Sequence, residues 1–405
     1  MTSMSAVVFS MAERGHFSRM KPLIAGLAAE GVTTHVFTDA CFREEVRLAG
    51  GRFVDLFAGR PLESIDATSI PVPSRFVSFA GHCGDTVTRE AAALRPSVVI
   101  HDGFAVIGRV VARHLDIPCV NVCAGHNLAP GPAIEALSRD PRVKISDACW
   151  HGVRLLRERH GIPDASPFSY VSSVSPDLNV YCEPPQFLRP EERATFEPIA
   201  FFGSVWPDDP RHAESPAPPF GEGHAARFRL YVSFGTIIWR YYEAAALDAL
   251  EAVSEALSDR QDVVVRVSLG GVGNLDRVAT LARPNIRIES YVDQWRLLRD
   301  ASACITHQGL NSTHEAIFHE VSMISYPFFW DQPGLAARCQ ELGLAVPLTA
   351  TLRGPVAPDT IRDALARVKG NLPSMRARLA EARRWELETI RRRPEVIRRI
   401  IGLVP

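Results

Sequence analysis

The 405-residue sequence has almost no net charge, no long apolar run and no paired cysteines of the zinc-binding kind. Its 45 basic and 46 acidic residues leave a formal net charge of -1, so no nucleic-acid partner is expected. No apolar run reaches the roughly 18 residues that a membrane-spanning helix needs. The first residues, MTSMSAVVFSMAERGHF, lack the pattern of a signal peptide. None of the eight cysteines forms a C-x-x-C pair. We therefore expect a cytoplasmic protein with reduced thiols, no membrane span and no metal site.

Strand and helix signals fall into two groups, which suits a chain too long for one hydrophobic core. In each group, short apolar runs alternate with amphipathic stretches, which predicts parallel sheets covered on both faces. Residues 207–224 between the groups are rich in proline and glycine without periodicity, as a linker would be. In the first group, PLIAGLAAEG predicts a helix with Pro22 near its start and a glycine at its end. The fold class is therefore α/β, in two halves.

The stretch THQGLNSTHE, residues 306–315, places many polar side chains where a strand ends and a helix begins. Gly309 permits a tight turn, and Asn311 or Ser312 is a good helix N-cap. The free N–H groups and dipole of a helix N-terminus favour a phosphate, and His307 adds a donor that could become cationic. Glu315, one turn later, could accept from ribose hydroxyls. A well-capped helix without a ligand explains the same pattern, and the pattern alone does not choose between them.

This stretch and the following YPFFWDQPGLAARCQELGLAVPL resemble the nucleotide-sugar signature of family 1 glycosyltransferases. The upstream YVDQWRLLRDA resembles the segment by which that family reads the base, with Asp293 where the family usually has proline. The resemblance implies that Val292 and Gln294 lie by the base and Glu315 by the ribose. It also implies a set of contacts to the diphosphate and the donor sugar: Ser233, Thr236, His307, Gly309, Asn311, Ser312, Trp330, Asp331 and Gln332.

In the first half, Gly15-His16 follows the first strand, where the same family carries a Gly-His pair. The resemblance implies that His16 is the general base and that Asp102, after the strand SVVIH, orients it. His101 is expected to point away, because adjacent strand residues face opposite sides. The family usually has proline three residues after the histidine, whereas Pro22 comes six after His16. His126 is a reserve candidate for acceptor-side chemistry.

The acceptor is expected in the first half, between loops at residues 58–85 and 124–175. Phe76 and Phe79 would supply part of an aromatic surface for an apolar small molecule, although they could equally be core residues. His82, His114 and His314 are expected to be structural.

The family's fold is GT-B, two facing Rossmann-like domains with a cleft between them. The corresponding limits here are 1–212 for the acceptor domain, 213–227 for the linker, 228–384 for the nucleotide-sugar domain and 385–405 for a C-terminal helix that crosses back. The implied activity is an inverting, metal-independent transfer from a UDP-sugar, or a dTDP-sugar, to a hydroxyl or amine of a small natural product. No cofactor is expected, and the oligomeric state stays open. A non-catalytic binding protein of the same fold and a nucleotide-sugar epimerase are the alternatives.

Overall fold

The computed structural model describes residues 4–63, 73–123, 125–171, 174–212, 220–221 and 227–404. The chain divides into two compact units, Met1–Trp206 with Glu388–Pro405, and Pro207–Leu387. Most of the linker predicted at 213–227 lies outside the described residues. Within the described part, no helix is long and apolar enough to cross a membrane. All eight cysteines are free.

The first unit is built on a parallel sheet with strand order β3-β2-β1-β4-β5-β6-β7. Its described strands are β1 Ser5–Phe9, β2 Thr33–Thr38, β3 Arg52–Asp55, β4 Val98–Asp102, β5 Cys119–Cys123, β6 Leu178–Tyr181 and β7 Ile199–Phe201. Phe9 pairs with His101, so the carboxyl ends of β1 and β4 lie side by side at the centre of the sheet. The order in which successive strands are added to the sheet changes direction between β1 and β4. In open α/β sheets, ligands bind at such a point.

Helices connect these strands. Those described within residues 4–206 of the first unit are α1 Arg14–Ala29, α2 Arg43–Leu48, α3 Ser74–Ala93, α4 Ile107–Leu115, α5 Pro130–Arg139, α6 Asp147–Glu158 and α7 Pro190–Arg193. The predicted start of α1 was wrong: the helix begins at Arg14, and Pro22 lies inside it. Proline can remain in a helix interior at a cost of about 3 kcal/mol, so its presence did not mark the first turn. The longer spacing from His16 to Pro22 therefore reflects an earlier helix start.

The second unit carries a parallel sheet with order β10-β9-β8-β11-β12-β13. Its described strands are β8 Phe228–Ser233, β9 Val263–Ser268, β10 Ile286–Glu289, β11 Ala303–Thr306, β12 Ser322–Ser325 and β13 Ala345–Pro347. Its described helices are α8 Ile237–Tyr241, α9 Glu243–Leu257, α10 Leu275–Val278, α11 Gln294–Asp300, α12 Leu310–Phe318, α13 Gln332–Glu341 and α14 Pro358–Arg391, the last of which ends in the first unit.

The C-terminal stretch forms α15, Arg393–Ile401, after a break at Arg392. This helix packs on α1 of the first unit, where a Cβ added to Gly26 would come 2.9 Å from Ile397 Cδ1. Arg393 Nε donates to the carbonyl of Phe202 over 2.9 Å. The last residues of the chain thereby complete the first unit.

Candidate active site

His16 and Asp102 meet at the carboxyl ends of β1 and β4. Nδ1 of His16 lies 3.3 Å from Oδ1 of Asp102. A carboxylate only accepts, so Nδ1 carries the proton and Nε2 keeps a lone pair. The His16 ring stacks on Phe104, with ring centroids 3.8 Å apart, and 16% of its side chain is exposed. The arrangement gives a histidine whose free nitrogen can accept a proton.

Asp102 is fully buried and held by the backbone around it. Its Oδ2 accepts from the Met11 N–H over 3.1 Å, and its Oδ1 accepts from the Phe104 N–H over 2.8 Å. Burial alone would raise the pKa of Asp102, but the hydrogen bond and charge of His16 and the Phe104 N–H bring the pKa below its ordinary value. The carboxylate is therefore charged at neutral pH and fixed in position.

His101 faces the other side of the sheet, as predicted. Its ring packs on α4, where a Cβ added to Gly108 would lie 2.5 Å from the Cβ of His101. Burial lowers the pKa of His101 to about 4, although a hydrogen bond to the Asp102 carbonyl opposes this. His101 is thus a neutral core residue and takes no part in the pair beside it.

The other residues predicted for the acceptor side are buried. His126 is only 5% exposed, and its Nδ1 lies 2.9 Å from Oε2 of the buried Glu183. Phe76 and Phe79, on α3, are 1% and 5% exposed. Phe76 packs against Phe104, 5.9 Å between ring centroids. The two phenylalanines occupy core positions, which is the second of the possibilities open from the sequence, and His126 forms a second histidine–carboxylate pair.

In the second unit, three strand ends lie level. Thr306 of β11 pairs with Ser233 of β8 on one side and Ser325 of β12 on the other. Ser233 Oγ accepts from the Gly235 N–H at 3.3 Å. Thr236, half-buried, follows and precedes α8. The polar residues predicted from three distant stretches therefore share one edge of the sheet.

The turn after β11 depends on a residue that the sequence pattern did not single out. Gln308 is fully buried and has φ +60°, a backbone conformation that non-glycine residues seldom adopt. Its Nε2 donates to Thr313 Oγ1 over 3.1 Å, and its Oε1 accepts from Ser325 Oγ over 2.7 Å. The side chain thus ties the turn to β12 and to α12.

Helix α12 begins two or three residues earlier than predicted. Gly309 is its N-cap and makes no side-chain cap bond, so the expected capping by Asn311 or Ser312 was wrong. Both residues lie in the first turn instead, where backbone N–H groups have no acceptor within the helix. That turn therefore presents N–H groups together with two polar side chains, which is a more direct arrangement for an anion than a side-chain cap.

His307 fills the space between two glycines. A Cβ on Gly235, which has φ +71°, would lie 2.8 Å from His307 Nε2, and a Cβ on Gly309 would lie 2.3 Å from it. Burial lowers the pKa of His307 to about 4. The expectation that His307 could become cationic was wrong for neutral pH, because its enclosed ring favours the uncharged form. A neutral imidazole can still donate one hydrogen bond.

Gln294 connects the residues predicted for the base and the ribose. Its Nε2 donates to Glu315 Oε2 over 2.7 Å and to Ser312 Oγ over 3.2 Å. Its Oε1 accepts from the Tyr231 hydroxyl over 3.2 Å. Glu315 is half-buried, so one of its oxygens is oriented by Gln294 while the group stays accessible. Tyr231 was not singled out from the sequence because it lies within an apolar strand pattern.

Asp293 supplies what the family's usual proline would supply, a helix start. Its side chain accepts from the Arg296 N–H over 3.2 Å, as the N-cap of α11. Val292 is half-buried just before it. Aspartate at the cap and proline in the first turn are alternative ways to begin a helix.

The residues predicted for the donor sugar lie after β12, at the start of α13. Trp330 has φ +62°, and Asp331 is the N-cap residue of α13. Gln332 is 5% exposed, and its Oε1 accepts from the Phe328 N–H over 2.9 Å. The side-chain oxygen of Gln332 is therefore hydrogen-bonded within the loop. Its side-chain nitrogen, Nε2, is the group that could bind a sugar hydroxyl.

Known proteins that are similar to this chain in sequence or in fold include glycosyltransferases. Residues 258–401 match the family described as the erythromycin biosynthesis protein CIII-like C-terminal domain. The chain is 22% identical over 351 residues to an uncharacterized UDP-glucosyltransferase, YdhE, of Bacillus subtilis (strain 168), which covers 84% of each chain. The solved glycotransferase of kitacinnamycin superposes with a TM-score of 0.78 over 100% of both chains at 22% identity. The glycosyltransferase VinC, solved in complex with dTDP, covers 98% of this chain and 100% of its own, with a TM-score of 0.66 and 19% identity.

These similarities confirm the GT-B fold, with a parallel-sheet Rossmann-like domain in each unit. They also confirm the resemblance to natural-product glycosyltransferases and the predicted enzyme class.

Proposed function

We propose that this chain is an inverting glycosyltransferase that moves a sugar from a UDP-sugar or dTDP-sugar to a hydroxyl or amine of a small natural product. The observation that carries the proposal is the contact between His16 and the buried Asp102. Nucleotide binding alone does not require a histidine oriented by a buried carboxylate at the carboxyl ends of strands in the other unit's sheet. An epimerase would need an acid–base pair beside the sugar in the second unit. The histidine–carboxylate pair described in that unit, His314 with Glu386, is fully buried in the core, with neither side chain exposed to a substrate.

On the donor side, the second unit offers complementary groups for a nucleotide diphosphate. The first turn of α12 supplies N–H groups and the positive end of the helix dipole for the phosphates. Glu315, oriented by Gln294, would accept from the ribose hydroxyls. Asp331 and the Gln332 amide would contact the sugar. UDP and dTDP differ in the ribose 2′-hydroxyl, which Glu315 would contact only in UDP.

On the acceptor side, the acceptor hydroxyl would give its proton to Nε2 of His16 as its oxygen attacks the anomeric carbon. The bond from that carbon to the diphosphate then breaks, and the nucleoside diphosphate leaves with the bonding electrons. The Nδ1–H bond to Asp102 stabilises the imidazolium that forms. Attack opposite the leaving group inverts the anomeric configuration.

We infer that the departing diphosphate is stabilised by the α12 N-terminus and neutral donors without a metal ion. Fixed N–H dipoles aimed at developing negative charge can replace a cation in this role. Among the described residues of the second unit, no group of three metal-ligating side chains occurs. Product formation in the presence of EDTA would test this point.

The decisive experiment is calorimetric titration of the full chain with UDP, dTDP and GDP in EDTA, followed by assays with the matching nucleotide-sugars. Saturable binding of UDP or dTDP that persists in His16→Ala, together with donor hydrolysis or transfer that is lost in that variant, supports the enzyme. Binding without any turnover that depends on His16 would favour the auxiliary binding protein. Absence of binding to all three nucleotides would contradict the proposal.

A further inference from the structure

Three helices of the first unit bring two imidazoles and a carboxylate together, away from His16 and Asp102. Asp85 lies on α3, His114 lies in the last turn of α4, and His160 follows α6. One ligand atom from each residue lies within 4.8 Å of the other two. We propose that these side chains bind a divalent transition-metal ion of the zinc class, which ties the three helices together.

The distances suit a shared ion. Nδ1 of His160 is 3.4 Å from Nε2 of His114 and 3.8 Å from Oδ1 of Asp85. With Zn–N bonds of about 2.0–2.1 Å, two nitrogens on a tetrahedral ion stand about 3.3–3.4 Å apart. The two imidazoles therefore already have the required separation, whereas 3.4 Å is too long for a good hydrogen bond between them. A modest movement of the Asp85 side chain completes the set.

The ligand atoms are oriented by neighbouring groups. Nε2 of His160 is 2.9 Å from the carbonyl oxygen of Gly81, so this nitrogen carries the proton and the lone pair of Nδ1 faces His114 and Asp85. The Arg159 guanidinium pairs with Oδ2 of Asp85 and leaves Oδ1 on the side of His160. Metal-binding histidines and carboxylates are commonly held by such outer contacts.

The position of His160 is built into the helical layer. The residue is 2% exposed, and a Cβ on Gly84 would come within 2.6 Å of its ring. Gly161, with φ +67°, turns the chain immediately after it. His114 is exposed and Asp85 half-buried, so an ion can enter from solvent and keep water as its remaining ligand.

The ion would be structural. Helix α4 follows Asp102 in the chain and carries His114 at its far end, and its nine residues span about 13 Å. A metal at this site would raise stability by binding only the folded state, without touching the reacting groups. Its ligands are 29 and 46 residues apart in sequence, so no motif spacing reveals them, and the sequence predicted no metal site.

The test uses the full chain, freed of metal with EDTA and then desalted. Titration with ZnCl2 should show one ion per chain and a rise in Tm, and Co²⁺ should give the absorption spectrum of a four-coordinate site. His114→Ala should weaken zinc binding at least tenfold and abolish the rise in Tm. The matched control is His151→Ala, which removes an exposed imidazole of α6 and none of the three ligands. It should bind like the unaltered chain.

Three results would overturn the proposal. The first is the absence of stoichiometric zinc binding, and the second is equal zinc affinity in the unaltered chain and His114→Ala. The third is a loss of zinc binding in His151→Ala alone, which would place the ion at the neighbouring His82–His151 contact. If circular dichroism shows that His114→Ala alters folding, Asp85→Asn replaces it as the test variant. EDTA should leave glycosyl transfer unchanged while it lowers Tm.

Discussion

The Nε2 amide of Gln294 donates to Oε2 of Glu315 across 2.7 Å, so the carboxylate proposed for the ribose is oriented before a nucleotide arrives. The same amide also reaches Ser312, in the first turn of α12. One side chain therefore couples the segment proposed for the base to those proposed for the ribose and phosphates. This coupling gives Gln294 a measurable role of its own.

Glu315→Ala should weaken UDP binding by about 1 to 3 kcal/mol, because one or two hydrogen bonds to the ribose are lost. Calorimetry on the purified variant measures this directly. Gln294→Ala should give a smaller loss, since Glu315 remains but is free to turn. Unchanged UDP affinity in Glu315→Ala would remove this residue from the site.

His16→Ala should lower turnover with hydroxyl acceptors by about 10²-fold or more, the usual contribution of a general base. The affinity for UDP should stay the same, because His16 belongs to the other unit. Steady-state kinetics combined with the UDP titration separates the two effects. Turnover equal to that of the unaltered chain would show that another group takes the proton, and His126→Ala would then be assayed next.

Gln308→Ala should lower the free energy of unfolding by about 2 to 4 kcal/mol, because two buried hydroxyls, of Thr313 and Ser325, lose a partner. Chemical denaturation measures the change. Gln308→Gly is the informative comparison: it loses the same bonds but relieves the φ of +60°, and should be the more stable variant of the two. The reverse order would show that the positive φ carries no strain.

Stability should fall as pH drops from 6.5 toward 4, partly because His101 must stay neutral in the core. The folded-state pKa of His101, about 4, lies below the ordinary value of 6.5. The stability that the neutral His101 contributes is therefore complete above pH 6.5 and is lost as the pH falls toward 4. For His101 this amounts to about 2 kcal/mol at pH 5. Denaturation of the unaltered chain and His101→Gln at pH 7.5 and 5 tests the difference. Parallel losses in both would mean that His101 does not contribute.

Sequence patterns located most strands and the residues at their carboxyl ends, because buried strands carry continuous apolar runs and ligand-binding residues follow them. His16 and Asp102 could be paired only through the family resemblance, since 86 residues separate them. The start of α1 was missed because Pro22 was taken as a first-turn residue. It is the ninth residue of the helix.

Properties that depend on tertiary packing were beyond the sequence. The neutral state of His307 follows from its enclosure by Gly235 and Gly309, which no local pattern reveals. The role of the buried Gln308 amide depends on its contacts with Thr313 and Ser325, which no local sequence pattern reveals. The cluster of Asp85, His114 and His160 arises from the meeting of three helices that are distant in the chain.

The contact between Gly26 and Ile397 sets a rule for recombining this enzyme with its relatives. A chimera cut once, near residue 207 where the second unit begins, would join the N-terminal part of one parent to the C-terminal part of another. Such a graft would leave α1 of one parent facing α15 of the other, where a side chain added at Gly26 would require Ile397 to move. A chimera that folds should therefore take residues 1–206 and 388–405 from the same parent. The second unit of the other parent would then be inserted between these two segments.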